Sequence, residues 1–179
     1  MSNRMKTRDV AFKFRMGAGF SGDVNRTHPA TIEPCLIDAS APPTFFGEPV
    51  LLDATTQGVR PFTTTDTSAT TAYGITVRPY PFQQSSGTNY GAATIGNAGS
   101  PASGVTDVLR AGYIMGQVPA GASTVKGGTV YVWCAATTTG HVQGGFEAAS
   151  SSGNTATLAD CTFNGVADAN GNVEIAFNI

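Results

Sequence analysis

Charge is scarce in this chain of 179 residues: ten Lys and Arg and twelve Asp and Glu make up 12% of it, about half the share of an ordinary soluble domain. That excludes a coiled coil, a charge-rich disordered chain and a long-helix bundle. Basic excess is also missing, since the net charge is −2 and the isoelectric point near 5.5, which argues against a protein that lives on nucleic acid. The cysteines Cys35, Cys134 and Cys161 are odd in number, widely spaced and in no CxxC pair, so neither a disulfide framework nor a zinc site is signalled. They read as reduced thiols, Cys134 and Cys161 as small buried hydrophobes. No apolar run is long enough to cross a bilayer and no secretory signal opens the chain, so the expectation is a soluble, unprocessed protein without a membrane partner. Long stretches free of Gly and Pro are few as well, because 22 Gly and 10 Pro punctuate the sequence and leave little room for helices.

What the sequence does hold is small and turn-forming: Gly, Ser and Thr supply 58 positions, while 41% of the residues are apolar, enough for one core. Short strands are predicted at 49–53, 73–78, 109–118, 129–134, 141–147, 155–163 and 173–179. Seven such runs at this spacing predict an all-β fold, a jelly-roll-like sandwich or barrel with little or no helix. The clearest signal is a final hairpin with Asn170-Gly171 as a type I′ turn between 165–168 and 173–177, with Val173, Ile175 and Phe177 facing inward. Residues 63–71 and 83–103 are too poor in hydrophobes for core strands and read as surface loops.

The N-terminal part is different. Val10, Phe12, Phe14 and Met16 alternate with Ala11, Lys13 and Arg15, a period of two that marks a strand. From 17 to 47 the chain is rich in Gly and Pro with isolated hydrophobes, among them Phe20, Phe45 and Phe46, and resembles a pinned extended arm. The domain reading is therefore an arm over 1–47 and a β-sandwich or barrel over 48–179. Charge follows the same division: Arg4, Lys6, Arg8, Lys13, Arg15 and Arg26 give the first 26 residues +4 and leave −6 on the rest. A basic arm beside an acidic body suits an acidic partner surface, a phosphate backbone or a neighbouring copy.

Candidate chemistry is thin. The 17–22 segment, Gly-Ala-Gly-Phe-Ser-Gly, matches G-x-G-x-x-G, but no helix can follow it to present its amides to a pyrophosphate. His28 and His141 lie in no nucleophile or metal motif, and no Gly-x-Ser-x-Gly elbow is present. Asp168, Asn170, Asn172 and Glu174 alternate oxygens as a calcium loop does, yet read better as turn residues. Aromatics among basic residues can stack on single-stranded nucleic acid, but alternation puts Phe12 and Phe14 on the opposite face from Lys13 and Arg15. No catalytic, cofactor-binding or metal residue is assigned.

The run 19–26, Gly-Phe-Ser-Gly-Asp-Val-Asn-Arg, followed by 30–34, Ala-Thr-Ile-Glu-Pro, and 46–50, Phe-Gly-Glu-Pro-Val, resembles the head-decoration or structural cement proteins of tailed bacteriophages. Segments 74–81, 110–114, 127–132 and 171–179 are similar to that family in style, so the resemblance spans most of the chain. It implies a jelly-roll-like or barrel-like β domain with an extended N-terminal segment, without enzymatic activity or cofactor, made in the host bacterial cytoplasm and added to the capsid exterior. Its implied partners are the major capsid protein, whose subunits it bridges, and itself, as a dimer or trimer. On that reading the interface draws on Arg4, Lys6, Arg8, Val10, Phe12, Lys13, Phe14, Arg15, Phe20, Arg26, Phe45 and Phe46. The aromatics carry more of the affinity than the charges, because an exposed ion pair contributes only about 0.2–1 kcal/mol. The alternative is a β-rich tail or spike component that binds a receptor or glycan through Tyr80, Phe82 and Tyr90.

Overall fold

Alternation becomes burial most plainly in the last strand, where Val173, Ile175 and Phe177 are inside and their neighbours only half-buried. The computed structural model describes residues 19–79 and 100–179. It contains nine strands: β1 (Ala30–Leu36), β2 (Pro49–Leu52), β3 (Val59–Pro61), β4 (Gly74–Thr76), β5 (Val105–Gln117), β6 (Thr129–Trp133), β7 (Phe146–Glu147), β8 (Thr155–Phe163) and β9 (Asn172–Phe177). One 3-10 turn, Thr64–Asp66, is the only helical element among the described residues. The protein is all-β, as predicted.

The strands form one curled antiparallel sheet in the order β3-β2-β4-β5-β9-β8-β6-β7, with β1 added along β5. The 13-residue β5 is the hub, since it pairs with β1, β4 and β9. Its two faces separate two apolar clusters. Leu109 and Ile114 belong to the main core with Phe62, Phe146, Phe163, Ile175 and Phe177, whereas Val108 belongs to a smaller cluster with Cys35, Ile37, Val50 and Val59. The three cysteines are free thiols in buried positions. Burial pushes all three thiols up, Cys161 furthest, which keeps them in the unreactive protonated form.

Several expectations need correction. Two strands, β1 and β3, were not among the predicted runs. β1 lies in the 17–47 stretch, where Pro34 in mid-strand hides it; a proline is tolerated there because it sits on an edge strand, its missing N–H turned away from β5. The 141–147 run is a strand only at Phe146–Glu147, because Thr138 and His141 exchange backbone hydrogen bonds and close a turn before it. The final hairpin joins β8 to β9, with Phe163 opposite Ile175, and not 165–168 to 173–177. Nor is its turn type I′: Gly171 has φ +84 but Asn170 is not in the positive region. The cause is Asp168, whose Oδ1 accepts from the Asn170 and Asn172 amides while its carbonyl accepts from Gly171, leaving only the glycine in the left-handed conformation.

Candidate interaction surface

Eight of the residues expected at an interface, Arg4, Lys6, Arg8, Val10, Phe12, Lys13, Phe14 and Arg15, lie outside the described residues, as do Tyr80, Phe82 and Tyr90. The described chain opens at Gly19 and runs along the end of β5: Gly22 donates to the Met115 carbonyl and Val24 bridges to Ile114. Phe20 is 55% exposed, its amide held by Asp23 at 3.0 Å, with the Arg78 guanidinium 5.2 Å above its ring. Phe46 goes the other way. It is 3% exposed and sits inside its own chain, so the aromatic pair Phe45–Phe46 is divided between a half-buried and a buried ring.

Arg26 makes a two-pronged contact with Glu174, Nε to Oε1 at 3.1 Å and Nη2 to Oε2 at 2.7 Å, and stacks 3.9 Å over the Tyr113 ring. Burial pushes the Glu174 carboxyl up, but hydrogen bonds from Arg26, Asn164 and Asn25 together outweigh it and hold the group below the usual carboxylate range. The same pattern recurs: Arg110 lies 3.6 Å over Tyr73 and 3.3 Å from Glu33, and Tyr73 donates to that Glu33 at 2.6 Å. Arg60 lies 2.8 Å from Asp66 and Arg78 lies 3.9 Å from Asp23. Each arginine among the described residues thus has a carboxylate of its own chain beside it. Sequence reasoning missed this for Arg26, because its partner is 148 positions away.

Phe45 helps to wall a cavity of about 550 Å³, together with Phe146, Val118, Pro119, Val142, Gln117, Glu147 and Ser21. His141 stands behind Glu147, Nδ1 2.7 Å from Oε1, and stacks on Trp133 with centroids 4.3 Å apart. His28 is exposed. Beside the cavity Glu48 is fully buried: Oε2 accepts from the Thr44 and Phe45 amides at 2.7 and 3.3 Å, while Oε1 has no hydrogen-bond partner and packs against Gly144. Burial pushes this carboxyl up to about 8 against the pull of those two amides. Among the described residues no group of three or more His, Cys, Asp or Glu is gathered that could hold a metal ion. The arrangement offers packing surface and anchored charge.

Residues 10–177 match the family described as XM1 gp53 minor capsid protein. None of the curated proteins matches. Among solved structures, a chain in "The capsid of Myoviridae Phage XM1" is similar in fold, with a TM-score of 0.66 and 20% identity over 92% of this chain and 93% of that one.

Proposed function

The chain belongs to the XM1 gp53 minor capsid protein family, a structural component associated with a phage capsid, and from that premise we propose that it is a cement protein. It binds the outer surface of the shell, bridges major capsid protein subunits and associates with copies of itself as a dimer or trimer. No enzymatic step is part of this role. One observation carries the reading. Inside the described body every arginine already has an internal carboxylate, whereas residues 1–18 concentrate a charge of +4 beside Phe12 and Phe14, next to the exposed Phe20, so basic charge for an outside surface is gathered at the N-terminal segment.

The mechanism is physical. Apolar side chains of the segment bury against capsid or a neighbouring copy, and its basic groups set orientation against acidic surface. Each contact is weak, but many copies on a symmetric lattice, each touching several subunits, raise the free energy of opening the shell through linked contacts. The test mixes purified protein with undecorated expanded heads, the full chain against a variant lacking residues 1–20. The full chain is expected to co-sediment and to raise the temperature at which heads rupture, and the truncated chain to stay folded and unbound. Equal binding by both would refute the role of the segment, and binding by neither would refute the cement reading.

A further inference from the structure

An aromatic ring and a hollow lie side by side on this chain. Phe20 is exposed, and the next residue, Ser21, is already part of the cavity wall. The backbone that carries the ring is fixed. The Phe20 amide donates to Asp23 Oδ2 and its carbonyl accepts from the Asp23 amide, both at 3.0 Å. Gly22 pins the same turn to the body: its amide donates to the Met115 carbonyl, its carbonyl accepts from the Arg78 amide, and a Cβ on it would lie 2.7 Å from Phe46 Cβ. The ring is thus presented by a pre-organised turn, which lowers the ordering cost of burying it against a partner. The hollow, about 550 Å³, lies within the ~300–1,000 Å³ range of sites that enclose an entrant. Polar groups in its lining are engaged within the chain: Gln117 Nε2 donates to the Asn170 carbonyl at 3.2 Å, Glu147 holds His141 at 2.7 Å, and Arg78 lies 3.9 Å from Asp23. What meets an entrant is the apolar wall of Phe45, Phe146, Val118, Pro119 and Val142 inside that polar rim, the make-up of an interface centre.

We propose that this patch is a two-fold contact between two copies of the chain, the Phe20 ring of each seated in the hollow of the other. A knob and a hole on one patch meet the demand of an isologous interface, that a surface be complementary to itself. Charge agrees with this pairing. The Arg78 guanidinium sits 5.2 Å over the Phe20 ring, so the ring brings a cation toward the Glu147 carboxylate in the wall of the partner copy's hollow. Area sets the strength. A buried Phe removes ~150–250 Å² from water, so two rings and the walls they cover account for about 600–1,000 Å², below the ~1,200 Å² of a standard stable interface. The contact is weak in dilute solution and fills where copies stand side by side on a lattice at high effective concentration.

The inference rests on the proposed association of copies, whose surface it names, and its test uses the full chain without heads. Sedimentation equilibrium from micromolar to millimolar protein is expected to show monomer passing to dimer and stopping there. Phe20→Ala removes the knob, and Val142→Trp, at a half-exposed position in the wall, fills the hole. Each is expected to leave the urea midpoint in place and to weaken dimerisation roughly tenfold or more. An equimolar mixture of the two variants, which keeps one knob and one hole, recovers part of the association. A full chain that stays monomeric overturns the proposal, as does growth past the dimer. A variant that dimerises like the unsubstituted chain, or a mixture no better than its components, overturns it too. Heads bound by a chain that stays monomeric would sink this contact alone, whereas a dimer that ignores heads would sink only the cement reading.

Discussion

At Glu48 a carboxyl with no exposed surface sits with one oxygen unpaired, and its pH behaviour follows from that burial. Its folded pKa is about 8, above the unfolded value near 4.5. Stability from this group is therefore complete below about pH 4.5 and is lost as pH rises toward 8, where the unfolded chain has released the proton and the folded one must follow. Over that window the loss is on the order of 5 kcal/mol at most. Glu48→Gln is expected to flatten the slope of unfolding free energy between pH 5 and 8, as urea titrations would measure; an unchanged slope would place the group in solvent. Gly116 illustrates a steric limit in the same region. A Cβ there would lie 2.4 Å from Ile175 Cδ1 and 2.8 Å from Phe146 Cδ2, so Gly116→Ala overpacks the junction of β5, β7 and β9 and should lower stability by about 1–3 kcal/mol, read as a shift of the urea midpoint at constant m-value.

The elements differ in how openly the sequence declares them. In β9 three inward side chains alternate with three outward ones, and the period alone identifies both the strand and its buried face. Phe177, fully buried opposite Gly112 and Cys161, is the sharpest probe: Phe177→Ala should cost about 3–5 kcal/mol, and a loss below about 1 kcal/mol in chemical denaturation would mean that the β8–β9 hairpin packs elsewhere. β1 is the contrary case. Its Ile32 and Leu36 are 45% and 59% exposed and Pro34 interrupts its donors, so it has no buried period to read and exists because β5 offers it a full partner edge. The same holds for β3, a three-residue strand too short to carry a pattern. The last turn shows a local rule overridden: Asn-Gly favours type I′, but the Asp168 carboxylate accepts the amides around it and selects another turn.

For the whole molecule the ranking of forces on the capsid is the main consequence. Rim charges act through a solvent in which a 0.15 M salt screens them beyond about 8 Å, and apolar anchors do not share that sensitivity. Phe20, exposed at the root of the N-terminal segment, should therefore matter more than salt: Phe20→Ala is expected to weaken retention on heads more than washing the unsubstituted protein in 1 M salt does. Equal stripping by both treatments would reverse the order. Sequence by itself determined the fold class, the free thiols and the split between a basic N-terminal segment and an acidic body, because composition, period and charge are local quantities that survive without coordinates; the one core it led us to expect is two apolar clusters on either side of β5. Only the tertiary structure decided that Phe46 lies inside, that Arg26 is held by Glu174, that β5 joins three strands, and that a hollow opens beside Ser21. Those depend on which distant residues meet, and the pairing of positions 148 residues apart leaves no mark on either one's neighbourhood in the chain.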